Sequence, residues 1–139
     1  MATFNKFESY VGYIGLSIIN LNTDTLKVFL TNAVPSASLD TVFTDLLDLT
    51  TGFGYTSGGI DVLNAYSETA GIGNLTGTDA VWTAAGGSIG PFQYVVLYDD
   101  TPTIPAKPLI GWWDYGSAVT MLDTETFTAN FGVNILTIS

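Results

Sequence analysis

From residue 24 to the C-terminus the apolar residues fall into short runs that turn signals interrupt at near-regular spacing. This punctuation limits the chain to few folds, because runs this short cannot be long helices. Leu26, Val28 and Leu30 alternate with Lys27 and Phe29 until Thr31, Asn32 and Pro35 break the run. Residues 60–63 and 80–83 are short strand candidates. Residues 92–98 (Phe-Gln-Tyr-Val-Val-Leu-Tyr) form the strongest one, bounded by Pro91 and by Asp99-Asp100, and their aromatic and β-branched content suits a central strand. Residues 108–115, 119–122, 126–131 and 133–138 complete the set, with turn signals at Thr51-Gly52, Gly58-Gly59, Gly86-Gly87, Asp99-Asp100 and Asp123-Thr124. Many short strands without alternating helices predict a mainly β fold, a β-sandwich with a jelly-roll-like arrangement as its narrower form. Residues 41–49 fit a short helix or an irregular edge strand. Residues 51–59 and 70–79, rich in Gly, Ser and Thr, read as exposed loops.

The N-terminal segment differs. Phe4, Phe7, Val11, Ile14, Ile18 and Leu21 recur at spacings of three and four, which predicts a helix over residues 4–21 with that stripe buried. Asn5 and Glu8 stand three apart, as in a capping box. Gly12, Gly15, Ile18 and Ile19 weaken the helix and leave a strand as the alternative. A single domain over residues 1–139 is expected, with the helix packed on a β-rich body from residue 25 onward.

Charge narrows function. The chain has 13 acids against Lys6, Lys27 and Lys107, with no arginine, for a net charge of −10. Proteins that hold nucleic acid neutralise phosphates with Lys and Arg, so no nucleic-acid partner is expected. Attraction to anionic lipid fails for the same reason. The apolar stretch over residues 10–21 is too short to span a bilayer and has no signal-peptide flanks, so no membrane or targeting role is expected. The acids are scattered rather than clustered, which suggests a solvated, mutually repelling surface. His and Cys are both absent, which removes disulfides, thiolate chemistry and Cys/His metal sites.

Three patterns invite a chemical reading. Gly86-Gly87-Ser88-Ile89-Gly90 matches the G-x-S-x-G nucleophile elbow, but a strand follows where a helix is needed, and the chain has no histidine base. The carboxyl pairs Asp99-Asp100, Asp45-Asp48 and Asp123-Glu125 could serve glycoside hydrolysis only if two faced one cleft; as turn residues they need no such role. No acidic loop has the spacing of a Ca²⁺-binding EF-hand. The expectation is no enzyme activity and no cofactor. Trp112, Trp113 and Tyr115 lie near Trp82, Phe92 and Tyr94 in sequence. Adjacent tryptophans on a strand point to opposite faces, so one fills the core and the other faces a loop, solvent or a neighbour. Phe4, Phe7, Trp112, Trp113 and Tyr115 are the candidate interface residues.

The sequence running from Ser88 through Gly90-Pro91-Phe92 to Asp99-Asp100, followed by Pro108-Leu109-Ile110-Gly111-Trp112-Trp113-Asp114-Tyr115-Gly116, resembles a group of small tailed-phage virion proteins. Further points of likeness are an N-terminal amphipathic segment, a strand like residues 26–32, the G-Y-x-x-G-G element Gly54-Tyr55-Thr56-Ser57-Gly58-Gly59, and a closing segment like residues 123–128. The resemblance covers most of the chain in order and carries over no catalytic residue. It implies a virion component, a capsid decoration or cement protein binding other virion proteins, the major capsid protein foremost, in many copies or as a homo-oligomer. A tail or fibre subunit is the alternative within that class. A carbohydrate-binding or adhesion module is the alternative outside it.

Overall fold

The strand expected at residues 92–98 is the middle of β7, and the rest of the chain is arranged around it. The computed structural model describes residues 2–139. In chain order the elements are β1 (Phe4–Lys6), α1 (Glu8–Gly15), β2 (Leu26–Thr31), a 3₁₀ turn (Phe43–Asp45), β3 (Ile60–Asp61), β4 (Ala65–Thr69), β5 (Ile72–Thr76), β6 (Ala80–Thr83), β7 (Ile89–Asp99), β8 (Leu109–Met121), β9 (Thr126–Ala129) and β10 (Leu136–Ile138). The fold is mainly β. Its strands form three antiparallel sheets, ordered β1-β8-β7-β2-β3, β10-β5-β4 and β6-β9.

The main core lies between the five-stranded sheet and the two small ones, a sandwich-like arrangement. Leu26, Val28 and Leu30 of β2, Val95 and Leu97 of β7, and Ile110 and Trp113 of β8 meet Leu75, Trp82, Ala129 and Leu136 from the small sheets. A second cluster covers the opposite face, where Phe7, Phe29, Tyr94, Val96, Tyr98 and Leu109 pack under Leu46 and Phe43. Both faces of β7 are therefore buried from Tyr94 to Asp99, which is why its sequence is apolar without alternation. Each large side chain fully buried here stabilises the fold by about 1.5–3 kcal/mol.

The N-terminal helix is shorter than its periodicity predicts. Phe4–Lys6 is a strand, paired Phe4 to Trp113 and Lys6 to Gly111. Gly111 makes this close approach possible: a Cβ there would sit 2.2 Å from the Phe4 ring and 2.6 Å from the Asn5 carbonyl. Phe7 is extended and begins α1 without a side-chain cap, so the Asn5–Glu8 capping box does not form. The buried stripe moves with it. Tyr10 is buried, Tyr13 and Ile14 are half-buried, and Val11 is exposed. The helix ends where Ser17 adopts φ +60° and the Ile18 N–H reaches back to the Tyr13 carbonyl at 2.9 Å, a Schellman closure.

Other boundaries differ as well. Residues 108–115 and 119–122, read as two strands, belong to the single strand β8, which keeps pairing with β7 across register shifts. Residues 70–79, read as a loop, contain β5, which forms a hairpin with β4 through Ala70 and Gly71. Residues 41–49 contain one 3₁₀ turn.

Candidate functional site

The sequence candidates for an interface do not share one surface. Phe7 is buried and packs against Trp112, ring centroids 4.6 Å apart. Trp113 is buried on the other face, against Phe4 at 5.2 Å and Phe131 at 5.1 Å. The two tryptophans thus point to opposite faces, as strand geometry requires. Tyr115 is half-buried against Phe127 at 5.1 Å, and burial raises the pKa of its phenol. Phe4, half-buried on the edge strand β1, is the member of the set that lines a surface hollow.

The residues singled out for chemistry serve as structure. Ser88 is exposed on a loop that runs straight into β7 rather than into a helix. Lys107 lies 3.8 Å from Asp100 and over the Phe43 ring at 5.1 Å. The three carboxyl pairs are engaged within the chain. Asp45 Oδ2 accepts from the Thr41 and Val42 N–H groups at 2.8 and 3.1 Å, which holds its pKa below the ordinary range. Asp123 accepts from the Gly86 N–H at 2.9 Å and Glu125 from the Leu122 N–H at 2.7 Å. Asp100 is bridged by Lys27 at 3.2 Å and by Lys107.

Sequence reasoning missed how general this is. Among the described residues, every acid except Glu8 and Asp100 accepts a backbone N–H hydrogen bond from the chain itself. Two of these bonds are long-range: the Phe131 N–H to Asp79 and the Gly86 N–H to Asp123, both at 2.9 Å. The acids pin loops and turns; they do not form one charged patch. Among the described residues, no group of three or more His, Cys, Asp or Glu side chains could hold a metal ion, and no helix is long and apolar enough to cross a membrane.

Two acids stand apart from the exposed turns: Asp48 is half-buried and Asp99 is fully buried. Asp48 accepts from the Tyr55 hydroxyl, from Ser57 Oγ at 2.8 Å and from the Gly58 N–H at 2.6 Å. Tyr55 also accepts from the Leu30 N–H at 3.0 Å, and the Tyr98 hydroxyl donates to the Gly58 carbonyl at 2.6 Å. The G-Y-x-x-G-G element is therefore a clasp that ties the 48–59 loop to β2 and β7. Gly59 must be glycine there: its φ is +83°, and a Cβ would sit 1.8 Å from the Val28 carbonyl oxygen. Burial raises the hydroxyl pKa of Tyr55 and Tyr98. Asp99, fully buried at the end of β7, has one donor, the Thr101 N–H at 3.0 Å; its Oδ2 has none. Burial, and next the neighbouring Asp24 carboxyl, push its pKa up to about 8. Two carboxyls meet stably only with a proton between them.

The exposed apolar residues stand apart from this network. Leu47 is 78% exposed and Phe53 is 56% exposed. They flank a hollow of about 380 Å³ whose walls include Leu49 and Ile89. A second hollow of about 410 Å³ adjoins it through Leu47 and Leu49, with Ala33 and Pro91 on its far side. Val34, on the same connecting segment as Ala33, is 75% exposed. Compared with family models, curated proteins and solved structures, the chain finds no match.

Proposed function

We propose that this chain is a structural component of a tailed-phage particle, a capsid decoration or cement protein that docks on the head shell. The observation that carries the reading is a division of labour on the surface. The acids are engaged by the chain's own backbone, while large apolar side chains such as Leu47 and Phe53 stand free around a concave surface. Exposed apolar residues beside concave hollows mark contact sites for other proteins. A cement protein needs only such contacts, because repetition over many equivalent shell sites multiplies modest affinities. The order of motifs along the chain, which resembles small virion proteins, supports the same reading.

The carbohydrate-binding alternative has less support. A sugar platform needs aromatic faces turned to solvent, whereas Trp82 and Trp113 are buried and Trp112 packs on Phe7.

The test is co-sedimentation of the purified protein with phage heads assembled without it, beside the Leu47→Asp and Phe53→Asp variants. Both positions are exposed, so the variants should fold. The expected result is saturable binding by the wild type and at least about tenfold weaker binding by the variants. No binding to heads, with binding to tails or to glycans instead, would replace this reading by one of its alternatives.

A further inference from the structure

Leu26 of β2 is paired with Asp99 of β7, so their side chains share one face of the five-stranded sheet. Asp24, two residues before Leu26, comes to that face as a diagonal neighbour of Asp99, and the two carboxyls lie beside each other. The corner is fastened by the Thr25 N–H to Thr101 Oγ1 at 2.8 Å and by the Asp100 N–H to the Thr25 carbonyl at 2.9 Å. Asp99 is fully buried, yet its Oδ2 has no hydrogen-bond partner. Asp24 is half-buried, its Oδ2 accepting the Asn20 N–H at 3.0 Å, and Thr101 is exposed, so the corner opens to solvent.

Among the described residues, no lysine is paired with either carboxyl. Lys27 follows Leu26 in β2 and so points to the other side of the sheet. There it meets Asp100 at 3.2 Å, with Lys107 at 3.8 Å from the same carboxyl. Lys6 lies on β1, beyond β8. A buried carboxylate is stable when it is paired with a cation or bound to a metal. Two adjacent carboxyls need a positive charge between them; in the chain alone it is a proton, and a metal ion can take the proton's place. The donors are all oxygen, in a chain without His or Cys, which favours a hard cation over transition metals. Ca²⁺ accepts irregular sets of carboxylate, carbonyl and water oxygens, whereas Mg²⁺ demands near-octahedral geometry and sheds water reluctantly.

We propose that Asp24 and Asp99 form a Ca²⁺ site, in which the ion bridges Asp99 Oδ2 and the Asp24 carboxylate and completes its shell with water on the solvent side. Binding ties the turn before β2 to the end of β7. With only two carboxylates the affinity falls at the weak end of the Ca²⁺-binding range, roughly 0.1–1 mM. No motif marks the site in the sequence, because Asp24 and Asp99 meet only through the β2–β7 pairing. The site is separate from the Leu47–Phe53 surface, so the proposal does not rest on the particle reading.

Isothermal titration calorimetry tests it, on purified chain stripped of metal with chelator and moved to chelator-free buffer at constant ionic strength. A single Ca²⁺ per chain is expected, with a saturable rise in the unfolding midpoint over the same concentration range. Asp99→Asn and Asp24→Asn keep the shape of each side chain and remove one ligand charge; each should weaken binding at least about tenfold. Asp123→Asn, at an exposed acid elsewhere, should leave binding unchanged. Circular dichroism checks folding, and Asp24→Asn, at the half-buried position, keeps the test decisive if Asp99→Asn does not fold. No saturable heat and no midpoint shift up to about 10 mM Ca²⁺ overturns the proposal. So does binding that survives Asp24→Asn, falls equally to Asp123→Asn, or is matched by Mg²⁺ at the same concentration, which would assign the effect to screening of the chain's net charge.

Discussion

Asp48, half-buried, and Asp99, fully buried, both lie beside the five-stranded sheet, yet their surroundings are opposite. Asp48 meets three donors, from Tyr55, Ser57 and Gly58. Asp99 meets one donor and a second carboxyl, that of Asp24. The residue type is the same; the supply of donors decides whether an inward-pointing acid acts as a clasp or holds a proton. The difference teaches that acidity in this chain is chiefly a device for fastening loops, with one place where the fastening depends on pH.

The largest expected effect lies on the Asp48 side. Asp48→Ala removes the acceptor from three donors at once and should cost about 3 kcal/mol in urea unfolding. A cost near that of an ordinary surface substitution would erase the contrast with Asp99. The next effect concerns pH. The folded pKa of Asp99 lies above its unfolded value, so the native state holds the extra proton between the ordinary carboxylate range and about pH 8. This contribution is fully present below that window and is lost as pH rises through it, by at most about 1.4 kcal/mol per pH unit. Asp99→Asn should flatten the stability profile there and be more stable than the wild type above pH 8. A wild-type profile that rises with pH across the window would show that Asp99 is ionised and that the contrast is false. The smallest effect is expected at Asp45, an exposed cap for the Thr41 and Val42 N–H groups. Asp45→Ala should cost about 1 kcal/mol, and a cost matching that of Asp48→Ala would mean that burial adds nothing to the clasp.

The fold was legible where local pattern and burial agree. β7 is apolar without interruption because both of its faces are covered, and such a run can be recognised without knowing its partners. The opposite facing of Trp112 and Trp113 follows from strand geometry alone. The helix was misplaced by a non-local contact: Phe4–Lys6 pairs with β8, more than a hundred residues away, and this moves the helix start and rotates its buried stripe by one position. The β4–β5 hairpin escaped notice because its strands are largely exposed and polar, with no apolar alternation to read. The roles of the acids were illegible for the same reason as the β1–β8 pairing. Asp79 with Phe131 and Asp123 with Gly86 are close only once the chain is folded. Of the interface candidates, the sequence marked large aromatic residues but could not tell those that pack inward, such as Phe7, from those at a rim, such as Phe4.

The central claim is that partner contacts are apolar because the charged groups are engaged within the chain. Retention of the protein on phage heads through a salt series tests it most directly. Screening weakens attraction between opposite charges and also relieves repulsion within a chain of net charge −10. The account therefore predicts that bound protein stays constant or rises slightly as salt increases. Release at moderate salt would show that ion pairs between these acids and a basic partner hold the complex, and would contradict the account.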